Sequence, residues 1–384
     1  MADNQHRQPI LPGSTIGILG GGQLGRMMAL EAIGMGYRIV SLDPQKGSPC
    51  GQVAAQEFVA PFDDLEMAEA MSRASDVVTY EFENVSSEVV RRLQMSVYLP
   101  QGADILQVTQ HRLREKEQVS RCGVSVAPYR RVTSLDELRQ AATHIGLPAV
   151  LKTTQGGYDG KGQSVIRREE QMEEAFTSLT ALHPELILEA FIPFAQEISV
   201  IAARNPAGDV ASFPVAENVH EENILRLSIA PARIPPTVES QARRIAERLA
   251  TELQIVGLLA VEMFLTSEGE IYVNELAPRP HNSGHFTQDA CVTSQFEQHI
   301  RAICNLPLGS TQLLTPVVML NLLGEEQEAA LHHLGELPRV AKLHLYGKGE
   351  SRPRRKMGHL NFLASDVEEA LQDATEFRQK ALRG

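Results

Sequence analysis

The sequence of 384 residues contains no tryptophan, and only 5% of it is aromatic, although its 43% share of hydrophobic residues is ordinary for a soluble globular protein. Long apolar runs are missing. The longest candidate, Leu313 to Leu323, is interrupted by Pro316 and falls well short of the ~20 residues that span a bilayer. The opening MADNQHRQP lacks the apolar stretch of a secretory signal and reads as a polar tail. Cysteine is scarce. Cys50, Cys122, Cys291 and Cys304 form no CxxC pair, which argues against a disulfide framework or structural zinc and for incidental thiols in a reducing cytoplasm. Positive charge is in deficit. A net charge of −12 disfavours nucleic acid as the main partner, because a phosphate backbone demands a basic footprint. A small anion in a local basic pocket stays open. The sequence has no internal repeat, no low-complexity tract, no G-x-S-x-G and no Walker A loop.

What is present is a chain long enough for two or three domains. Thr15–Leu19 is a short apolar run, Gly20–Gly25 a glycine turn, Leu24–Met35 a helical pattern and Tyr37–Leu42 a second strand ending at Asp43. Strand, helix and strand with tight glycine punctuation predict a parallel α/β unit. Asp76–Tyr80 reads as a further strand with Glu81 just past its C-terminal end, where ligands of open parallel sheets bind. From His111 the character changes to α+β. Helical patterns cover Arg112–Cys122 and Leu135–Ile145, the latter stopped by Gly146 and Pro148, and strands follow at Ala149–Lys152 and Ser164–Ile166. Beyond Leu186 come mostly strands, a long helix at Val238–Leu253, a hairpin at Leu258–Leu276 and a helix at Ser294–Cys304.

Gly20, Gly22 and Gly25 satisfy G-x-G-x-x-G, and Asp43 lies where a ribose-binding acid would sit. The physics supports a broader statement. Glycines let the backbone approach an anion, and a helix N-terminus offers free N–H groups to any phosphate.

Three features further along carry phosphate chemistry. Lys152 ends an apolar strand and is followed by Gln155–Gly162, with four glycines in seven residues. Such a loop can fold over phosphates and exclude water, with Lys152 and Lys161 adding positive charge. Next, Gly257–Thr266 and Glu270–Leu276 read as a hairpin. A two-residue turn at Glu268-Gly269 would set Glu262 directly opposite Glu275, with Cβ atoms about 4.5–5.5 Å apart. Like charges so placed call for a cation or a shared proton, and hard oxygen ligands near phosphates suit Mg²⁺. Asn274 would join them only through a bulge. Last, the apolar strand Leu186–Ile192 offers a surface for an adenine ring, and Glu197 an acceptor for ribose hydroxyls.

Together these features resemble the ATP-grasp superfamily. GGGQLGRMM (20–28), GGYDGKGQ (156–163), NELAPRPHNSGH (274–285) and RKMGHLN (355–361) look more narrowly like the 5-(carboxyamino)imidazole ribonucleotide synthases of purine biosynthesis. The resemblance runs over nearly the whole chain from Thr15. It implies an N-terminal doubly wound parallel sheet (1–110), a central ATP-grasp domain (111–310) and a small C-terminal β-rich domain (311–384). It also implies an ADP-forming ligase acting in the cytoplasm as a homodimer, without nucleic-acid or membrane partners. ATP would be contacted by Arg112, Lys152, the lid Gly157, Tyr158, Asp159, Gly160, Lys161, Gly162 and Gln163, the hinge Glu189, Ala190, Phe191 and Ile192, and by Glu197, His220, Asn274 and Glu275. Glu262 and Glu275 would hold magnesium. The substrate phosphate would lie near Gln23 and Leu24 and near Lys348, Arg355 and Lys356, while Tyr158, Asp159, Arg279 and His281 would face substrate or bicarbonate. Glu81 and Asn84 would line the substrate pocket. Lys152, Lys161 and Arg279 would stabilise charge, with Asp159 and His281 as candidate bases.

The expected reaction joins bicarbonate and 5-aminoimidazole ribonucleotide at the expense of ATP, through carboxyphosphate. Rival readings are a formate-using glycinamide ribonucleotide enzyme or biotin carboxylase of the same superfamily, a nicotinamide oxidoreductase resting on the glycine turn, and a non-catalytic nucleotide-binding regulator. A zinc site at His281 and His285 would need a helix that Pro280 and Asn-Ser-Gly preclude.

Overall fold

The computed structural model describes residues 8–156 and 161–382. The N-terminal part is a parallel sheet of β1 (Thr15–Leu19), β2 (Arg38–Asp43), β3 (Gln56–Val59) and β4 (Val77–Tyr80), in the order β3-β2-β1-β4. β1 and β4 are buried almost throughout, as parallel strands covered on both faces must be. The helix Gln23–Gly34 packs Met27, Met28, Ala29 and Ala32 into the same core as Ile16 and Ile18, and Phe296, Ile300 and Ile303 from the helix Gln295–Ile303 join that core. The N-terminal sheet is therefore fixed to the central part through shared apolar packing.

The central part has two lobes. The smaller is an antiparallel sheet of β5 (Tyr129–Val132), β6 (Ala149–Thr153), β7 (Gln163–Ile166) and β8 (Leu186–Ala190), in the order β5-β8-β6-β7. It is covered by the helices Leu135–Ile145 and Met172–Thr180. Ser134 caps the first of these and Gly146, at φ +89°, ends it, as its boundary residues predict. The larger lobe is built on β9 (Phe194–Arg204), β10 (Val210–Ser212), β11 (Ala216–Glu221), β12 (Ile224–Ala230), β13 (Gly257–Thr266) and β14 (Ile271–Ala277). The helix Pro236–Glu252 lays Val238, Ala242, Ala246, Leu249 and Ala250 on this sheet at helical spacing.

The C-terminal strands β15 (Val317–Leu323), β16 (Ala341–Leu345) and β17 (Lys356–Leu363) continue the larger sheet, with β12 paired to β15. Its path runs β14-β13-β9-β11-β12-β15-β17-β16, with β10 paired to β9, and every pairing is antiparallel. Lys356 at the start of β17 is thereby brought to the cavity of the central lobes.

The β13–β14 hairpin differs from the expected two-residue turn. Thr266 pairs with Glu270 through its N–H, so the loop is Ser267-Glu268-Gly269, with Gly269 at φ +84°. That is a three-residue hairpin, in which the left-handed position favours glycine. The ladder then runs Leu265 with Ile271, Phe264 with Tyr272 and Met263 with Val273, and shifts by one residue at Asn274. Past this bulge Glu262 faces Glu275. The turn and the bulge each displace the register by one residue in opposite senses, so the glutamates meet as expected although the turn does not have the expected form.

Candidate active site

Between the two lobes lies a cavity of about 650 Å³ that reaches the N-terminal glycine turn. β6 contributes Lys152 and Val150; the end of β8 contributes Glu189 and Ala190, and the link after it Phe191 and Ile192; β9 contributes Phe194 and Glu197; and β11 contributes His220. β13 and β14 supply Glu262, Phe264, Asn274 and Glu275, and the following segment Arg279, His281 and Asn282. Arg112, Lys161, Gln163 and Lys356 close the rim, and Gly22, Gln23, Leu24, Glu81 and Glu83 line the N-terminal end. Gly162, at φ +74°, joins Lys161 to Gln163. Gly157, Tyr158, Asp159 and Gly160 lie outside the described residues. Apolar surface sits at the hinge end, where Phe194 and Phe264 stack with centroids 4.6 Å apart.

Lys152 Nζ lies 2.9 Å from Glu189 Oε2, and the same oxygen is 3.3 Å from Lys116 Nζ. Burial alone would raise the Glu189 carboxyl, but Lys116 and Lys152 overcome it and hold the group at about 2. Burial also pulls the Lys152 ammonium below its ordinary range, against the opposing pull of Glu189. Glu189 Oε1 is buried and has no hydrogen-bond partner.

The second cluster is carboxylate-rich. Glu262 is raised to about 7, first by burial and then by the facing Glu275. Arg112 approaches Glu275 at 3.6 Å and His281 Nε2 approaches Glu262 at 3.3 Å. His281 is held well below its ordinary range by burial and by Arg279 and Lys356, so the ring is neutral. Its Nδ1 accepts the Ser283 N–H, which leaves the Nε2 proton facing Glu262. The Asn274 bulge turns that side chain into the cavity, where its Oδ1 is buried without a partner. Two facing carboxylates and an orphaned amide oxygen form an all-oxygen donor set, which fits a hard divalent cation. His285 diverges from His281. It is fully buried, 4.8 Å centroid to centroid from His359.

On the wall formed by β9 and β11, His220 Nδ1 is 3.2 Å from Glu197. At the N-terminal end, Glu81 accepts the N–H groups of Gly22 and Gly25, so a carboxylate already occupies the helix N-terminus. Asp43 accepts from Gly21 and Gln45. The donors and the acid that a dinucleotide would use are thus engaged within the chain. Burial raises Glu81 to about 7, against the two N–H groups that favour its ionised form. In the unfolded chain the carboxyl titrates at its ordinary 4.5, so the folded state binds the extra proton between these values. Its contribution to stability is present below about pH 4.5 and is lost as pH rises through about 7, on the order of 3 kcal/mol in all. Glu81→Gln should flatten the fall of melting temperature between pH 5 and 8. An unchanged slope in a pH series of thermal melts would contradict this assignment.

Lys348 donates to the Lys356 carbonyl at 2.6 Å. Burial pulls its ammonium down to about 8, helped by Arg355 and Lys356, with Glu81 opposing. These four groups are therefore electrostatic neighbours, although Lys348 and Arg355 lie outside the lining of the main cavity. Arg355 itself donates to the Glu350 carbonyl.

Sequence reasoning missed several supporting residues. Glu83 accepts from Arg279 Nε. Gln295 brackets His281, accepting its N–H at 2.9 Å and donating to its carbonyl at 2.8 Å. Glu115 accepts the Leu276 N–H beside Glu275. Arg112, Glu115 and Lys116 share one face with buried Val119, and charged residues at that spacing around an apolar position were the available signal.

Known families and solved structures match the chain over nearly its whole length. The ribonucleotide synthetase preATP-grasp domain matches residues 13–110, the ATP-grasp domain 117–296, and the phosphoribosylaminoimidazole carboxylase C-terminal domain 317–373. The N5-carboxyaminoimidazole ribonucleotide synthase of Bacillus subtilis (strain 168) is 51% identical over 369 residues, 96% of each chain. The corresponding protein of Brucella melitensis is 45% identical over 91% of this chain and 96% of its own. A crystal structure of an N5-carboxyaminoimidazole ribonucleotide synthetase with ADP has a TM-score of 0.95 and 53% identity, covering 99% of this chain and 100% of that one. The Aspergillus clavatus synthase in complex with ADP and 5-aminoimidazole ribonucleotide has a TM-score of 0.89 and 29% identity, covering 97% and 99%. With paired glutamates, a buried lysine and a full-length match of sequence and fold, this chain belongs to the N5-carboxyaminoimidazole ribonucleotide synthases of the ATP-grasp family.

Proposed function

We propose that the cavity carboxylates the exocyclic amine of 5-aminoimidazole ribonucleotide with bicarbonate, converting ATP to ADP and phosphate in purine biosynthesis. The observation that carries this reading is the register pair Glu262–Glu275, with the orphaned Asn274 oxygen, in one cavity with the Lys152–Glu189 pair. Adenine lies against the hinge Glu189–Ile192 and the Phe194–Phe264 surface, and Glu197 and His220 meet the ribose. A bicarbonate oxygen attacks the γ-phosphorus and ADP departs. Lys152, Lys161 and Arg279 stabilise the charge that develops on the transferring phosphoryl group. Glu262, Glu275 and Asn274 would hold Mg²⁺, which supplies charge neutralisation at the phosphates when bound.

The carboxyphosphate formed is short-lived in water, so the 157–163 lid, including Tyr158 and Asp159, acts by excluding solvent. The amine nitrogen takes the carboxyl group, phosphate leaves, and the nitrogen loses a proton. His281, neutral and bracketed by Gln295, turns its Nε2 proton toward the cavity and is suited to donate to and orient bicarbonate, or to receive the amine proton only after that Nε2 proton has passed to Glu262. The substrate phosphate is met by Gln23, Leu24, Lys348, Arg355 and Lys356, and Glu81 faces the substrate. We extend the reading to domains at 1–110, 111–310 and 311–384, a homodimer and a cytoplasmic location. Among the described residues no helix is long and apolar enough to cross a membrane.

The test is ADP release measured with and without bicarbonate and with and without 5-aminoimidazole ribonucleotide. Release should require the aminoimidazole substrate for full rate. Turnover with formate and glycinamide ribonucleotide, or with biotin, in its place would assign the cavity to a different ligase of the superfamily.

A further inference from the structure

We infer that Lys116 is a positioning residue for the nucleotide, acting through Glu189 to leave Lys152 available to phosphate. The inference rests on the nucleotide reading of the cavity. Lys116 and Glu189 side chains are each 3% exposed, and Lys116 is not among the residues that line the cavity. Its ammonium therefore makes its contact with the site through the carboxylate it shares with Lys152, and also repels the Lys152 ammonium through space.

The sharing is lopsided. Both ammonium groups converge on Glu189 Oε2, while Oε1 has no partner. Without Lys116, Lys152 would be the one close counter-ion of a buried Glu189, with Arg112 acting from farther away, and an incoming phosphate would have to break that pair and leave a buried charge poorly compensated. With Lys116 present, Glu189 stays ionised and paired when Lys152 turns to the nucleotide. The cation that binds phosphate is then a surplus charge and not half of a closed pair.

A purely structural role explains less. The helix Arg112–Arg121 is already anchored without Lys116. The Arg112 N–H donates to the Thr154 carbonyl, His111 is 3.0 Å from Glu185, Glu115 accepts the Leu276 N–H, and Arg112 faces Glu275. Lys116 adds a tie to β8 of the smaller lobe, at the hinge itself.

The experiment is ADP binding by titration calorimetry, with thermal melts in parallel, on the full chain. Lys116→Met should weaken ADP binding about tenfold, the equivalent of one moderate polar interaction, and Lys116→Arg should restore it to within about threefold. In the Glu189→Gln background the Lys116→Met change should cost nothing further, because the intermediary is gone. The idea is overturned if Lys116→Met lowers the melting temperature but leaves the ADP dissociation constant unchanged. It is also overturned if the loss is equally large in the Glu189→Gln background. Should the single variant not fold, the comparison of Lys116→Met/Glu189→Gln with Glu189→Gln decides, since that pair leaves no unpaired carboxylate. Wild-type ADP binding without turnover of the aminoimidazole substrate would count against the carboxylation reading and leave this one standing.

Discussion

Lys152→Ala is expected to lower ADP release by about 10²–10³-fold, the usual loss when one preorganised charge at a reacting group is removed. The side chain is 10% exposed and reaches into the cavity from β6, a strand held between β8 and β7. Its position is set by the sheet and not by a mobile surface loop. A buried ammonium is worth more against phosphate than an exposed one, because little water screens it. Truncation leaves Glu189 with Lys116 as its remaining close cation, so the carboxylate stays paired and the fold should survive. The discriminating readout is therefore steady-state ADP formation beside a thermal melt. Near-wild-type turnover in a folded Lys152→Ala protein would sink the proposed phosphate site.

Glu275→Gln is expected to be equally damaging to activity and almost harmless to stability. In the folded chain Glu275 faces Glu262 across the hairpin, and their repulsion is one cause of the raised Glu262 carboxyl. Neutralising Glu275 removes that repulsion, at the cost of the 3.6 Å contact with Arg112. The two changes oppose one another, so the melting temperature should move by the equivalent of no more than about 1 kcal/mol. Activity should fall by about two orders of magnitude or more, because one of the two carboxylates proposed to hold the divalent cation has lost its charge. Such a split, with function lost and stability kept, marks a pair retained for its ligand. A variant that unfolds, or one that works normally, would contradict it.

The hairpin shows how far sequence reasoning reached. The apolar run LLAVEMFL and the segment IYVNELA read as two strands, and a short polar turn closes them. The sequence leaves the turn length open, because Glu268-Gly269 satisfies a two-residue loop as readily as Ser267-Glu268-Gly269 satisfies the three-residue one that forms. Nothing local announces the bulge at Asn274. It is set by the pairing of β13 with both β9 and β14 and by Glu115, which takes the Leu276 N–H beside it. Sequence alone offers the glycine turn to an anion, but it does not show that Glu81, 56 residues from Gly25 in sequence, takes the Gly22 and Gly25 N–H groups while Gln23 and Leu24 stay on the cavity lining. A long-range contact of that kind leaves no periodic trace.

Periodicity, glycine punctuation and residue chemistry by themselves determined the first strand–helix–strand unit, the strands that carry Glu262 and Glu275 and the lysine beside a glycine-rich loop, because these depend on neighbours a few positions apart, whereas the facing of the two glutamates rests on a bulge that only the sheet sets. Only the tertiary structure decided which charges are buried together, among them Lys116 with Glu189, Glu83 with Arg279 and Gln295 around His281. Burial and pairing arise when distant segments pack, and the strength of a charge depends on the water that packing removes.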